Sequence, residues 1–185
     1  MEATDILMSE HRVIERVLIA LEIATTHLEA GEAITPAFFI EAADFAKGFA
    51  DGCHHMKEEG VLFPAMEAAG LSKQSGPLAV MLAEHEEGRR LVRGMRQAAE
   101  RLQGGETAAR QEVVVNGQGY VNLLRSHINK EDNILFPMAD RIIPQEQHAS
   151  LYEEFERIEH EETGEGVHEK YLGMAEQLEK AVLGM

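Results

Sequence analysis

The sequence predicts an all-α protein: an antiparallel, up-down-up-down four-helix bundle built from a duplicated helical hairpin, with an additional C-terminal helical region. Three observations predict it. Five segments repeat apolar residues at alternating spacings of three and four, the period of one helix face, and none alternates with the period of two expected of a strand. Short connections separate these segments, which makes successive helices antiparallel neighbours. The two halves of roughly residues 1–140 also resemble each other.

The first hairpin consists of two long helical segments. The first is expected to end near Gly31, and the second runs from about Pro36 to Ala69. Proline is favoured in the first turn of a helix and glycine just after its last turn, which is where Pro36 and Gly70 lie. One face of the first segment carries Leu7, His11, Ile14, Leu18, Leu21, Thr25 and Leu28.

The second hairpin repeats this layout. Its first helix begins near Pro77 and stops at the glycine pair 104–105, and its second helix is clear from Tyr120 onward. The start of that second helix is left open, because the preceding run VVVNGQG contains β-branched residues and glycine, which disfavour helix. The periodic faces of the two segments carry Leu78, Met81, His85, Gly88, Val92, Met95, Ala99 and Leu102, and then Tyr120, Leu124, His127, Glu131, Ile134 and Met138.

A fifth helical region extends from Gln145 to the end of the chain. It contains two apolar sets, one beginning at Leu151 and one at Val167, and Gly164 and Gly166 between them are expected to break or kink it. We therefore expect residues 1–143 to form the bundle. Residues 144–185 would form a C-terminal helical extension that packs on the bundle or on a partner.

Composition narrows the class of protein. The chain has 185 residues, 44% apolar and 27% charged, as in globular domains. Its formal net charge of −16 argues against nucleic-acid or anionic-membrane partners, because both require clustered cations. No apolar run approaches the roughly 20 residues of a membrane helix, and the N-terminus does not resemble a signal peptide. A single cysteine, Cys53, excludes an internal disulfide, and we expect a cytoplasmic protein.

An internal duplication identifies the candidate site. ILMSEHRVIERVL, starting at residue 6, aligns with VMLAEHEEGRRLV, starting at residue 80, with an offset of 74. CHHMKEEGVLFPAM aligns with SHINKEDNILFPMA with an offset of 73. The positions that coincide are Glu10 with Glu84, His11 with His85, Arg16 with Arg90, His54 with His127, Lys57 with Lys130, Glu58 with Glu131, and Phe63-Pro64 with Phe136-Pro137. Two copies of one hairpin predict a pseudo-twofold axis along the bundle.

The duplication selects six candidate metal ligands on or beside the apolar faces: His11, His54, Glu58, His85, His127 and Glu131. Residues four apart share a helix face, so the histidine and glutamate of each H-x-x-x-E motif can reach the same metal pair. Buried without a partner, such groups would cost several kcal/mol each, roughly estimated. Four imidazoles and two carboxylates suit iron, manganese or zinc better than calcium or magnesium. If both carboxylates bridge and an oxide or hydroxide joins the ions, about one position on each ion stays open.

Several neighbouring residues are weaker candidates. His55 and Glu59 point about 100° away from the candidate ligands and are expected in an outer layer or at the surface. Glu15 lies four residues after His11, but its counterpart in the second half is Arg89. Whether His55, Glu59, Glu15 or His168 also approaches the metals is left open. The remaining histidines, His27, His148 and His160, are expected at the surface.

These motifs resemble those of the haemerythrin-like, or HHE cation-binding, family. The resemblance rests on SEH at 9–11, CHHMKEEGVLFP at 53–64, AEHEEGR at 83–89 and SHINKEDNILFP at 126–137, and covers roughly residues 1–140. It implies an antiparallel four-helix bundle around a non-haem di-iron centre, with two iron ions, oxo- or hydroxo-bridged, or zinc or manganese in their place. The six residues above would be the ligands.

This chain departs from the oxygen-carrying haemerythrins at two positions. Those proteins have a second histidine on the third helix, where this chain has Arg89. They also use H-x-x-x-x-D on the last helix, where this chain has H-x-x-x-E, although Asp132 lies five residues after His127. The symmetric set looks more like that of iron–sulfur-cluster repair proteins and of nitric-oxide-reducing or sensing relatives. The resemblance therefore argues against reversible oxygen carriage.

We accordingly expect a non-haem di-iron protein that reacts with or senses nitric oxide, oxygen or peroxide. The alternative is an iron-handling or iron- or oxygen-responsive regulatory module without catalysis. The expected partners are a small diatomic ligand or peroxide, and either a protein redox partner or a second copy of the chain bound through the C-terminal region. No nucleic-acid or membrane partner is expected. Whether the protein is an enzyme is left open by the sequence.

Overall fold

The computed structural model of the chain describes residues 3–163 and 166–183, and every regular element in these ranges is helical. The all-α prediction is therefore confirmed. The α-helices are α1 (Thr4–Glu29), α2 (Pro36–Phe45), α3 (Phe63–Ala68), α4 (Gly76–Gln103), α5 (Arg110–Lys130), α6 (Phe136–Ile142), α7 (His148–Arg157) and α8 (Val167–Leu183). Four wider, π-helical segments are π1 (Ala46–His55), π2 (Glu58–Leu62), π3 (Glu131–Leu135) and π4 (Ile158–Thr163). Thr107–Ala109 and Gln145–Gln147 form short 3-10 turns.

The predicted helix ends agree closely with the structure. The segment predicted from Pro36 is one continuous helical path through α2, π1, π2 and α3. The undecided start of the fourth helix lies at Arg110, so the valine–glycine run is helical. Gly117 serves close packing there, since a Cβ on it would lie 2.7 Å from Thr25 Cγ2 of α1. Gly166 has a φ of +75° and precedes α8. Gly164, the other predicted break, lies outside the described residues.

Two apolar clusters make up the core, and the candidate ligands lie between them. The larger cluster draws on α1, α2, α4, α5 and α8, and the smaller one on α3, α6, α7 and the first turns of α1 and α4. Along α1, Leu7 belongs to the smaller cluster and Ile14 to the larger one. His11 lies between them in sequence. A polar layer therefore divides an otherwise continuous apolar interior.

The C-terminal region contacts the rest of the chain through both of its helices. α8 packs against α1 and α2, and its buried residues Ala175, Leu178 and Val182 belong to the larger cluster. Arg16 of α1 donates to Glu179 of α8, with Nε 2.9 Å from Oε1. Phe155 of α7 is part of the smaller cluster. No helix in the described ranges is both long enough and apolar enough to cross a membrane.

The π-helical segments are placed where the sequence duplicates. π2 and π3 occupy equivalent positions in the two halves and begin at the equivalent residues Glu58 and Glu131. π-helical turns widen a helix locally and frequently occur at functional sites. π1 breaks the duplication, because the equivalent stretch 119–128 of α5 is α-helical. The two halves of the site therefore differ beside His54.

Candidate metal centre

Six helical segments each supply one of the six sequence-predicted ligands. His11 comes from α1 and His85 from α4, while π2 and π3 supply the two glutamates. His54 is in π1 and His127 in α5. Each of the six residues is exposed by no more than 1%. The structure thus brings the whole predicted set together in the interior.

The four imidazoles form two pairs. His11 Nε2 lies 2.9 Å from His54 Nε2, and His85 Nε2 lies 3.2 Å from His127 Nε2. Each pair takes one histidine from the first helix of a hairpin and one from the second helix of the same hairpin. Each half of the duplication therefore builds one pair.

The two carboxylates connect these pairs. Glu131 places Oε2 3.2 Å from His11 Nε2 and Oε1 3.1 Å from His127 Nε2. Glu58 places Oε1 3.6 Å from His54 Nε2 and Oε2 3.3 Å from His85 Nε2. Every imidazole pair therefore meets one oxygen of each glutamate, which is the arrangement of two cation positions joined by two carboxylates.

The inner atoms fit divalent metal ions. All four oxygens of Glu58 and Glu131 are buried and accept no conventional hydrogen bond from the described residues, although imidazole nitrogens lie close to them. Ligand atoms that adjoin one another around an ion bound at about 2.1 Å lie roughly 3 Å apart, close to the separations found here. Uncompensated, the buried carboxylates would be strongly destabilising. A cation at each position would compensate them.

An outer layer of carboxylates orients the four imidazoles. The four contacts are His11 Nδ1 to Asp132 at 2.7 Å, His54 Nδ1 to Glu10 at 2.9 Å, His85 Nδ1 to Glu59 at 2.7 Å, and His127 Nδ1 to Glu84 at 2.9 Å. An ionised carboxylate can accept but not donate, so each Nδ1 carries a proton and each Nε2 is the nitrogen that faces inward. The layer is itself duplicated, because Asp132 aligns with Glu59 and Glu84 with Glu10.

The electrostatics of this layer favour positive charge at the centre. Burial on its own would lower the pKa of His11, but its hydrogen bond to Asp132 and the nearby carboxylate of Glu131 raise it to about 9. Burial opposes the charge on His127 in the same way, and attraction to Glu131 raises its pKa to about 10. Burial would raise the pKa of Glu131, yet His127 and His11 hold it well below its ordinary value. The carboxylates therefore draw cationic charge into the site.

Comparison with known proteins gives the family of the chain. Residues 2–139 match the family described as the hemerythrin HHE cation binding domain. The chain belongs to this family. Its match covers α1 to α6 up to residue 139, and the family resemblance stated from the motifs is confirmed.

The chain is similar to proteins of at least two kinds. The uncharacterized proteins Rv1995 of Mycobacterium tuberculosis and Mb2018 of Mycobacterium bovis are each 25% identical over 180 residues, covering 97% of this chain and 70% of theirs. The iron-sulfur cluster repair protein YtfE of Escherichia coli O81 is 34% identical over 88 residues, covering 46% of this chain and 40% of its own. No solved structure matches the chain significantly.

His55 distinguishes the two halves of this HHE domain. It is 5% exposed, and its alignment partner in the second half is Ile128. The ring of His55 stacks on that of His85, with centroids 3.8 Å apart and planes 14° from parallel. One ligand atom from each of His55, Glu58, His85 and His127 nevertheless lies within 4.8 Å of the others. His55 is therefore a further candidate ligand at the position of His85 and His127.

The other undecided residues lie outside the inner set. Glu59 contacts His85 Nδ1, as described above. Glu15 is 40% exposed and pairs with Arg12, with Oε2 3.3 Å from Nε. His168 is near Cys53, whose thiol pKa burial raises to about 11. Glu165, which would complete an E-x-x-H motif with His168, lies outside the described residues. His148 corrects the prediction of a surface residue: it is 3% exposed, with Nδ1 3.4 Å from the backbone nitrogen of Ala3.

Neutralising one outer carboxylate tests whether that layer strengthens metal binding in this HHE domain. Glu84→Gln should weaken metal binding by about 10- to 100-fold, because an amide orients the His127 imidazole less firmly and removes negative charge. Glu87→Gln is the control, since Glu87 pairs with Arg90 at the surface of the same helix. Competition with a chelator of known affinity measures both. Equal metal affinities for the two variants would contradict the role of Glu84.

Proposed function

We propose that this chain holds two iron ions and reacts with or senses nitric oxide, oxygen or peroxide at them. His11 and His54 would bind one ion, His85 and His127 the other, and Glu58 and Glu131 would bridge both. The observation that carries the proposal is the placement of each glutamate between the two imidazole pairs, 3.1–3.6 Å from their Nε2 atoms. A pair of reduced iron ions supplies electrons and open coordination positions for small ligands.

The donor set narrows the choice of metal, and the relatives then favour iron. Four imidazole nitrogens and four carboxylate oxygens form a mixed donor set of the kind used for first-row transition metals, zinc included. Among these metals, iron agrees with the similarity to YtfE, an iron-sulfur cluster repair protein. Zinc or manganese in the same positions would leave the site filled but without iron's redox chemistry.

We further propose that the helices form the antiparallel four-helix bundle predicted from the sequence. Its members would be α1, the path from α2 to α3, α4, and the path from α5 to α6. Contacts between α1 and α5, α2 and α4, and α4 and α5 support this arrangement. The bundle would comprise residues 1–143 and the extension residues 144–185, and we expect the protein in the cytoplasm.

Aromatic side chains would protect the two ion positions from bulk water. Phe136 stacks on His11 at a centroid distance of 5.4 Å, and Phe63 stacks on His85 at 5.9 Å. Both phenylalanines are fully buried, and they occupy equivalent positions in the duplication. They therefore cover one face of one imidazole in each pair. A centre shielded in this way would admit small uncharged ligands more readily than hydrated ions.

Metal analysis followed by rapid mixing tests the proposal. Protein made in iron-replete cells should contain about two iron ions per chain, as six intact ligands predict. The reduced protein, mixed anaerobically with nitric oxide, should change its optical spectrum within the mixing experiment, and gas analysis shows whether nitrous oxide forms. A spectral change without nitrous oxide would favour sensing over reduction. Zinc alone, or one ion per chain, would overturn the di-iron proposal.

A second candidate function, a sensor that signals through the C-terminal region, is favoured by one contact. Lys57 Nζ lies 2.5 Å from Glu10 Oε1 and 3.0 Å from Glu159 Oε2, and its side chain is fully buried. Glu10 accepts from His54, so one lysine links π4 to a candidate ligand. Its counterpart Lys130 pairs with Glu84 but is 31% exposed. A partner or second copy would bind the C-terminal region in one metal state only, and partner binding to loaded and metal-free protein measures this.

Iron handling remains the alternative without catalysis. It requires iron that exchanges readily with an acceptor. The candidate ligands are exposed by at most 1%, which favours slow exchange. Transfer of radiolabelled iron to a competing chelator would distinguish the two: rapid and complete transfer supports handling, and slow transfer supports a resident centre.

A further inference from the structure

A cavity opens beside the metal centre on one side of the domain. Its volume is about 460 Å³, and its lining comes from α2, π1, α4 and α5. None of the six candidate ligands lines the cavity. His55 does line it, and the ring of His55 stacks on the ring of the candidate ligand His85. Small-molecule sites measure about 300–1,000 Å³, whereas one water-sized molecule needs only about 30 Å³. The cavity is therefore larger than a diatomic ligand requires.

The inner part of the cavity is apolar. Its buried lining includes Ala43, Ala46, Val92 and the ring of Tyr120. Burial raises the pKa of the Tyr120 hydroxyl, which therefore stays neutral. Walls of this kind favour the hydrocarbon part of a ligand, because apolar surface gains free energy on leaving water.

The outer part of the cavity is basic. Four cations line it, Lys47, Arg89, Arg93 and Arg96, against two carboxylates. This reverses the balance of the whole chain, in which 33 acidic residues exceed 17 basic ones. A local excess of positive charge in an acidic protein concentrates anions at that place.

Two of these cations are available to a ligand. Arg89 donates to Asp51, with Nε 2.7 Å from Oδ1, and Arg96 donates to Asp44. Lys47 and Arg93 are exposed, and within residues 3–163 and 166–183 neither has an ion-pair partner. A neighbouring cavity shares Lys47 and Asp44 with this one and is also lined by Lys170. The mouth thus offers unpaired positive charge above apolar walls.

We propose that this cavity binds a small organic anion, with its hydrocarbon part between Val92 and Tyr120 and its anionic head at Lys47 and Arg93. The ligand would lie against His55, one ring away from the candidate ligand His85. Its position beside a metal pair rests on the proposed function, but its binding does not. The cavity would therefore give a second, organic ligand class access to the neighbourhood of the centre from one side only.

Octanoate is the probe, and octanol is its uncharged counterpart. Calorimetry on the protein as purified, with its metal content measured, should show octanoate binding more tightly than octanol. Arg93→Glu should weaken octanoate binding by about tenfold or more, because an attractive charge becomes repulsive. Arg90→Glu is the matched control, one helical turn away on α4, where Arg90 pairs with Glu87 and does not line the cavity. It should leave octanoate binding unchanged.

A second pair of variants locates the ligand. Val92→Phe should abolish octanoate binding by filling the cavity, whereas Val115→Phe, at a side chain that is 57% exposed on α5, should not. In zinc-loaded protein, octanoate should shift the ring NMR signals of Tyr120, identified among three tyrosines by Tyr120→Phe. Absent binding, equal binding of octanol, or equal effects within either variant pair would overturn the proposal. If protein made in iron-replete cells binds octanoate but metal analysis finds no pair of iron ions in it, the di-iron proposal fails and this one stands.

Discussion

Glu131→Ala is expected to abolish the dinuclear centre, lowering the metal content from about two ions per chain to one or fewer. The two oxygens of Glu131 lie 3.2 Å from His11 Nε2 and 3.1 Å from His127 Nε2, one in each imidazole pair. Without them, Glu58 alone would connect the pairs, and each ion position would lose an anionic donor. Elemental analysis and the optical spectrum of protein made in iron-replete cells measure the loss.

Glu15→Ala is the matched control for this variant. Glu15 follows His11 by four residues, as Glu131 follows His127, so the two share the H-x-x-x-E spacing. Glu15 is nevertheless 40% exposed and pairs with Arg12. Its removal should leave the metal content unchanged. Full metal content in Glu131→Ala, or an equal loss in Glu15→Ala, would contradict the assignment of Glu131 as a bridging ligand.

The comparison of Glu15 with Glu131 shows why the sequence predicted the inner residues. A single H-x-x-x-E spacing occurs on any helix and says little about burial. The internal duplication excluded Glu15 from the candidate ligands, because Arg89 stands at its equivalent position. It kept Glu58 and Glu131 among them. The structure brings all six residues that survive this filter together in the interior. The correspondence between the two halves of the chain thus indicated which distant residues belong to one site, and helical periodicity alone does not show this.

The features that the sequence did not predict depend on local departures from α-helical geometry. Adjacent residues of an α-helix point about 100° apart, and on this basis the sequence predicted His55 in an outer layer or at the surface. In π1 the helix is wider, and His54 and His55 are both buried. Nothing in the composition of Ala46–His55 distinguishes a π-helix from an α-helix. Because π1 lines part of the cavity beside His55, that cavity was not predictable from the sequence either.

The outer carboxylates were recognisable only in part. Glu10 and Glu84 coincide in the duplication, but adjacency to a histidine does not show which nitrogen a carboxylate contacts. Asp132 reaches His11 from a different helix, 121 residues away along the chain. Such contacts follow from how helices pack against each other, which periodicity along one helix does not specify. His148 was misassigned for the same reason, because the N-terminus of α1 covers it.

Lys57→Met is expected to lower the free energy of unfolding by about 3–5 kcal/mol, the usual cost of breaking a buried ion pair from one side. The Lys57 side chain is fully buried, and Glu10, its partner at 2.5 Å, is only 3% exposed. Burial opposes the charge of Lys57, but attraction to Glu10 raises the lysine pKa above its ordinary value. With methionine at position 57, Glu10 would stay buried and would keep only the second of its contacts with Lys57 and His54. Urea unfolding of the metal-free protein measures the effect.

Lys130→Met should cost no more than about 1 kcal/mol, because its 31% exposure lets water replace the lost contact with Glu84. The difference between two lysines at equivalent positions isolates what the C-terminal region adds. Glu159 contacts Lys57, and no counterpart covers Lys130 among the described residues. Glu159→Gln should destabilise the natural chain but have little effect in the Lys57→Met chain, in which the lysine is already gone and Glu159 keeps only its contact with His168, 3.3 Å from Nδ1 to Oε1. Additive effects would mean that Glu159 of π4 and Lys57 are energetically independent, and the proposed sensor function would lose the contact on which it rests.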